Sequence, residues 1–230
     1  MITASEAWKQ RCPGAVVGVL VMRNVCNPPQ HAALEEHKVA LEAELRERFA
    51  GQDRAALRAL PVLQAYDAYY KQFKKTYHVQ LQLESIVFKG RPLPGVAALV
   101  EAMFMAELKN LLLTAGHDLD AVREPVTLDV AQGTERYTCL GGQETDLKPG
   151  DMVIADAQGV LSSIIYGPDD RTPITPETRN VLFTVYGPPG VSTAAMHAHL
   201  EDIRDNVRVV APQAEVAVLA CLTGGESSLI

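Results

Sequence analysis

The order of elements along this chain predicts an α+β fold. Helical periodicity dominates up to about residue 113, and short strands separated by turn residues dominate from Asp120 onward. The two kinds of element do not alternate as βαβ units would, which argues against a doubly wound sheet. With 230 residues, 47% of them hydrophobic and 21% charged, the chain can fill a core of its own. No linker rich in proline, serine or charge divides it and no internal repeat is present, so residues 1–230 are expected to form a single domain.

Taken in order, Ala15–Met22 is continuous in Val, Leu and Gly and predicts a buried strand. His31–Phe49 predicts a helix, with Leu34, Leu41, Leu45 and Phe49 on one face and Gly51 as a stop just beyond. Pro61 suits a first helical turn, and that helix is expected to run to about Lys75. A third helix is expected over roughly 80–88, ended by Gly90. Residues 95–113 read as a helix apolar on nearly every side, with Glu101, Glu107 and Lys109 scattered round the axis. Its length and charges fit a helix buried in protein rather than a membrane span. Strands are expected at about 126–130, 135–140, 151–156, 160–166 and 179–186, then a helix at 193–207 and a last strand at 215–222. The turn signals between strands are Gln132-Gly133, Gly141-Gly142, Pro149-Gly150 and Gly167-Pro168.

Charge narrows the partners. The net charge of −7 argues against a protein that coats nucleic acid along its length, and no DNA partner is expected. Residues 54–91, however, carry seven basic and two acidic side chains. If RNA binds, Lys71, Lys74, Lys75, Lys89 and Arg91 are the expected contacts. Tyr66, Tyr69, Tyr70, Phe73 and Tyr77 share one helical face, read as packing on the core, with a stacking platform for bases as the alternative. No basic-then-apolar leader opens the chain and no run is long enough to span a membrane, so the expected location is cytoplasmic.

Motifs for common chemistries are missing. The sequence has no GxGxxG, no GxxxxGK[ST] and no GxSxG, and GPPGVST (187–193) lacks the lysine of a phosphate loop. Cys12, Cys26, Cys139 and Cys221 form no CxxC pair, and His197 and His199 point apart on a helix. No metal and no cofactor is expected.

One ordered set of motifs goes beyond composition. GRPLPGVAALVEAMFMAELKNLLLTAGHDLDAV (90–122) is followed by VTLDVAQGTERYTCLGG (126–142), KPGDMVIADAQGVL (148–161) and DDRTPITPETRNVLFTVYG (169–187). The set resembles the B3/B4 domain of the phenylalanyl-tRNA synthetase beta chain, and more closely its stand-alone relatives. The resemblance implies helices packed around a β-sandwich of unusual topology. It also implies a site that hydrolyses mischarged aminoacyl-tRNA. It places His117 as the catalytic residue and Glu101 and Thr184 on the family's motifs around an amino-acid-like ligand, and position along the chain puts His117 in a pocket floored by the 95–113 helix and walled by the strands containing Gly141, Gly142 and Thr184. Thr184 stands where the family has a glutamate, so tyrosine is not the expected side chain.

Hydrolysis of an activated ester needs an oriented water and donors for the oxyanion, and no protein nucleophile. His117 can orient water, or it can cap a turn by bonding to Asp118, Asp120 or a backbone carbonyl. Two functions therefore stand: a tRNA-associated, trans-acting editing hydrolase, or a non-catalytic amino-acid or small-ligand-binding module that has lost RNA.

Overall fold

An apolar strand needs cover on both faces, and the second strand of this protein obtains it from two different layers. The structure, a computed structural model, describes residues 2–224 and the backbone of 227–228. The chain opens with β1 (Ile2–Ala4) and α1 (Glu6–Arg11), whose first turn is capped by Ser5 accepting from Trp8 N. β2 (Val16–Arg23) is buried except at its last residue. The helical region is α2 (Ala32–Arg48), α3 (Arg54–Arg58), α4 (Pro61–Gln72), α5 (His78–Lys89) and α6 (Ala98–Asn110).

Strands follow: β3 (Leu113–Asp118), β4 (Val126–Val130), β5 (Arg136–Thr138), β6 (Glu144–Asp146), β7 (Met152–Asp156), β8 (Gly159–Ser163), β9 (Gly167–Pro168) and β10 (Asn180–Gly187). The chain ends with α7 (Thr193–Val210), β11 (Glu215–Thr223) and β12 (Ser227–Ser228). The fold is α+β.

The strands form two five-stranded sheets, ordered β1-β4-β7-β8-β9 and β12-β11-β2-β10-β3, plus the β5-β6 hairpin. The β1–β4 pair is parallel and the other described pairs are antiparallel. One face of the second sheet carries α6 and α7. At Gly18 of β2 a Cβ would lie 2.6 Å from Met196 Sδ and 3.1 Å from Leu200, so glycine is what lets α7 approach. The opposite face turns to the first sheet, where His117 and Tyr186 both bond to Ser162 of β8. One contiguous apolar core runs from Trp8 to Leu222, and a smaller cluster around Tyr137 and Leu147 lies by the hairpin.

The helix expected over 95–113 is shorter than its apolar run. It stops at Asn110 because Leu111 adopts a left-handed conformation (φ 61°), and the chain turns into β3. Glu107 then accepts the Thr114 N–H at 2.6 Å, fastening the new strand to the helix it has just left. The helix expected to reach Lys75 ends at Gln72, with Lys74 also left-handed. No helix is long and apolar enough to cross a membrane among the described residues.

Candidate functional site

β3 is an edge strand, and its free edge is the wall of a cavity of about 320 Å³. α6 contributes Val100, Met103, Phe104 and Glu107, α5 contributes His78 and Gln82, and Pro173 and Ile174 close one side. The N–H groups of Thr114 and Asp118 point away from β10, to Glu107 and to the Thr172 carbonyl respectively. The two-residue repeat of a strand turns the N–H of Gly116 the same way, toward the cavity it lines. A larger residue there would displace the wall, since a Cβ would lie 2.7 Å from Ile174 Cδ1 and 3.1 Å from Met103 Sδ.

Most polar groups in the wall are already engaged. Thr114 Oγ1 bonds to His199, Ser163 donates to Asp151, and the Tyr186 hydroxyl bonds to Ser162. Glu107 is different. It is 1% exposed, one carboxylate oxygen accepts from Thr114 N, and no partner for the other is found among the described residues. Burial pushes its carboxyl up to about 8, against a smaller pull from the Thr114 N–H, so it carries a proton at neutral pH. His78 lies on the rim with no hydrogen bond to protein among the described residues, its ring packed against Tyr70 and Tyr77.

His117 does not line this cavity, which corrects the placement expected from sequence. It is fully buried between the sheets, with Nδ1 2.8 Å from Thr172 Oγ1 and Nε2 3.1 Å from Ser162 Oγ. Thr172 Oγ1 gives its proton to Asp169, so it accepts from His117 Nδ1–H. Nε2 then accepts from Ser162, and Tyr186 donates to Ser162. Every nitrogen is satisfied in one neutral tautomer. Burial, reinforced by Arg171, lowers the imidazole to about 4. The cavity takes the Leu113–Gly116 part of β3, whereas the His117 ring, one residue further on, is held between the sheets by Thr172 and Ser162.

The other expected ligand residues also lie elsewhere. Glu101 is buried against α2, bonded to Lys38 at 3.0 Å and to Val96 N at 2.9 Å, and it serves helix packing. Gly141 and Gly142 occupy the exposed tip of the hairpin with φ of 102° and 87°, where the adjoining Leu140, not the glycines, reaches the cavity. Thr184 is fully buried, opposite Ala115 in the sheet. Its hydroxyl has no hydrogen-bond partner of normal geometry, Tyr186 being the polar group it influences.

The five cationic residues are all exposed. Lys71 pairs with Asp67, and Lys75 Nζ lies 5.4 Å from the centre of the Tyr166 ring, next to the cavity-lining Gly167. Arg91 lines a groove that shares His78, Gln82 and Phe104 with the cavity. Lys75 and the Lys89–Arg91 pair thus stand at opposite ends of α5, whose rise puts roughly 17 Å between its ends. The aromatic stripe is core, not a base platform: Tyr66 and Tyr77 stack at 4.0 Å, and Tyr66, Tyr70 and Tyr77 donate to backbone carbonyls.

Sequence reasoning missed Glu107, Gly116 and His78 as site residues. Glu107 had a signal, a carboxylate on a helix with no solvated face. Gly116 and His78 had none.

Comparison with known proteins gives a family match and several likenesses. The B3/4 domain model matches residues 63–213. The phenylalanine–tRNA ligase beta subunit of Mycoplasma pneumoniae is 35% identical over 69 residues, which is 30% of this chain and 9% of that protein. The Mycoplasma genitalium beta subunit is 29% identical over a stretch of the same size and shares. The matched stretch is thus a small part of those relatives. Among solved structures, an N-terminal fragment of the phenylalanyl-tRNA synthetase beta subunit from Pyrococcus horikoshii has a TM-score of 0.48 at 13% identity. The likeness covers 94% of this chain and 50% of that one.

Proposed function

Because this chain belongs to the B3/4 domain family, we propose that it is a tRNA-associated protein of the cytoplasm that hydrolyses mischarged aminoacyl-tRNA in trans. The observation that carries this reading is the free edge of β3, where the Gly116 N–H faces an apolar cavity flanked by Lys75 and Arg91. The cavity takes the amino-acid side chain, and the backbone N–H is a donor for the oxyanion that forms as water attacks the ester. The two cations sit where a polyanion bearing that ester would approach. His78 is the imidazole on the cavity rim and takes the water-orienting role. His117 is a positioning residue, since its bonded chain fixes Asp169 and Tyr186, two members of the cavity wall.

A second reading is a binding module for free amino acids, and the sealing of His117 favours it. The test is a deacylation screen across mischarged tRNAs, run beside a binding screen of free amino acids. Ester release above the buffer rate for at least one mischarged tRNA supports the hydrolase. Binding of free amino acids with no release from any tRNA supports the module.

A further inference from the structure

The cavity and the groove that carries Arg91 meet at His78, Gln82 and Phe104. Glu107 follows Phe104 by three residues on α6, so it stands on the same helical face, beside that junction. A ligand with its side chain in the cavity and its remainder running out along the groove branches here. Glu107 brings to this point a carboxyl group whose second oxygen has no partner among the described residues, although the side chain is 1% exposed. Glu107 lines the cavity beside Val100, Met103, Phe104 and Leu113, so this oxygen is available to a bound group.

We infer that Glu107 is the residue that binds the α-ammonium group of the aminoacyl ligand, and so requires a free α-amine on whatever enters the cavity. This rests on the reading that the cavity takes an aminoacyl group. The geometry separates two demands. The apolar wall accepts a side chain by size, whereas Glu107 checks that the atom next to the carbonyl carries an amine. N-acylated or des-amino acyl esters fill the same space but leave Glu107 unpaired.

The proton balance follows. Glu107 is neutral at pH 7, so pairing with an ammonium ion transfers its proton to solvent, and the complex is carboxylate and ammonium. The ionisable groups that face Glu107 are Tyr66 and Tyr70 of α4, Tyr77, His78 of α5 and, through Thr114, His199 of α7, while Tyr186 and Asp169, the latter paired with Arg171 at 3.0 Å, stand elsewhere in the cavity wall. Burial raises the three phenols and lowers His199 to about 3, so these four stay neutral around pH 8. No lysine or arginine lines the cavity among the described residues, Arg171 being engaged with Asp169 and Asp156. An α-amine titrates near 8. Affinity for an amine-bearing ligand should therefore peak near pH 8 and fall about tenfold per pH unit on either side.

The experiment is calorimetric titration of the full chain with the amides of leucine, methionine and phenylalanine, and with the same three amides lacking the α-amine, from pH 6 to 10. The expected result is that at least one amino amide binds about thirtyfold more tightly than its des-amino partner at pH 8. The preference should vanish in Glu107→Gln, which keeps an oxygen for Thr114 N but cannot hold an ammonium ion. Equal affinity of amino and des-amino amides, unaltered by the substitution, would overturn the Glu107 assignment while leaving the cavity as the aminoacyl site. Failure of all six amides to bind would overturn both. If Glu107→Gln does not fold, the wild-type profiles decide alone: a peak near pH 8 for amino amides against a flat des-amino curve supports the inference, and parallel curves reject it.

Discussion

Two ends of β3 hold buried polar groups in opposite conditions. At the far end, His117 is enclosed by Thr172, Ser162 and, one bond further, Asp169 and Tyr186, and both ring nitrogens are satisfied. At the near end, Glu107 spends one oxygen on Thr114 N and leaves the other without a partner at a cavity. Burial acts first on both, raising the Glu107 carboxyl to about 8 and lowering the His117 imidazole to about 4, and both groups are neutral at pH 7. The difference lies in completion. A closed set of hydrogen bonds fixes a fold, and an open one is free to meet a ligand.

The sharpest way to break that contrast is His117→Ala. It strands the Thr172 and Ser162 hydroxyls in the interior and leaves a hole between the sheets. A loss of about 3 kcal/mol is expected, seen as a lower urea midpoint. A variant of unchanged stability that has lost deacylation would move His117 from the scaffold into the chemistry.

His78→Ala should show the reverse. The ring lies on the rim without hydrogen bonds to protein among the described residues, so stability should hardly change. Deacylation should fall by about a hundredfold, the usual worth of a positioned acid or base. Full activity in this variant would remove His78 from the reaction and favour the module reading.

The pH dependence of stability sharpens the same comparison. His117 and His199 have folded values near 4 and 3, below the ordinary value of 6.5, so the unfolded chain binds their protons first and stability drops as pH falls below 6.5. Glu107 and Asp151 have folded values near 8 and 7, above ordinary carboxyls. The folded state keeps their protons longer, and stability drops as pH rises through the range between the unfolded and folded values. Between about pH 4.5 and 6.5 the two trends oppose each other. From 6.5 to 8 only the carboxyls act, and Glu107 alone should cost about 2 kcal/mol across that span. Denaturant unfolding at pH 6.5 and pH 8 should show this decline, and Glu107→Gln should remove its share. An identical decline in the variant would assign it to Asp151 and other groups.

Reversing Lys75 and Arg91 to Glu tests whether the cavity faces RNA. Binding of tRNA should weaken by roughly tenfold, with a shallower salt dependence. The same change at Lys71, already paired with Asp67, should do less. Equal effects at all three would describe a diffuse basic face unrelated to the cavity.

Much of the fold was legible because it is written in periodicity. The all-round apolar character of 98–110 announces a buried helix, and the alternation in 126–130 announces a half-buried strand. The exposure of Lys71, Lys74 and Lys75 was legible from their spacing against the aromatic stripe, and the family from the order of its motifs. The site was less so. The apolar run through Leu111–Leu113 continues the helical pattern, and what stops the helix is a left-handed leucine, a conformation with no sequence signature. Once β3 replaces the helix end, His117 no longer closes a turn at a pocket. It becomes the inward residue of a strand, and the cavity falls to the edge that Gly116 occupies. Glu101 and Glu107 look alike in sequence, and only the packing separates them: Glu101 meets Lys38 of α2, whereas Glu107 lines the cavity.

Thr184 gives the smallest expected effect and the finest test of the contrast. Its side chain is fully buried, its hydroxyl lacks a partner of normal geometry, and it does not line the cavity. A buried hydroxyl that gains nothing from a bond is a net cost, so Thr184→Val, which keeps the shape and removes the oxygen, should change stability by no more than about 0.5 kcal/mol, or raise it slightly. Ligand affinity should stay within about twofold, because the wall at Ala115, Gly116 and Tyr186 is untouched. A loss above about 1.5 kcal/mol would mean that the oxygen completes a polar chain like that around His117, through Tyr186 or an internal water. A tenfold change in ligand affinity without loss of stability would mean instead that the cavity deepens on binding until Thr184 joins its wall. Thermal unfolding and calorimetric titration on the same sample separate these outcomes.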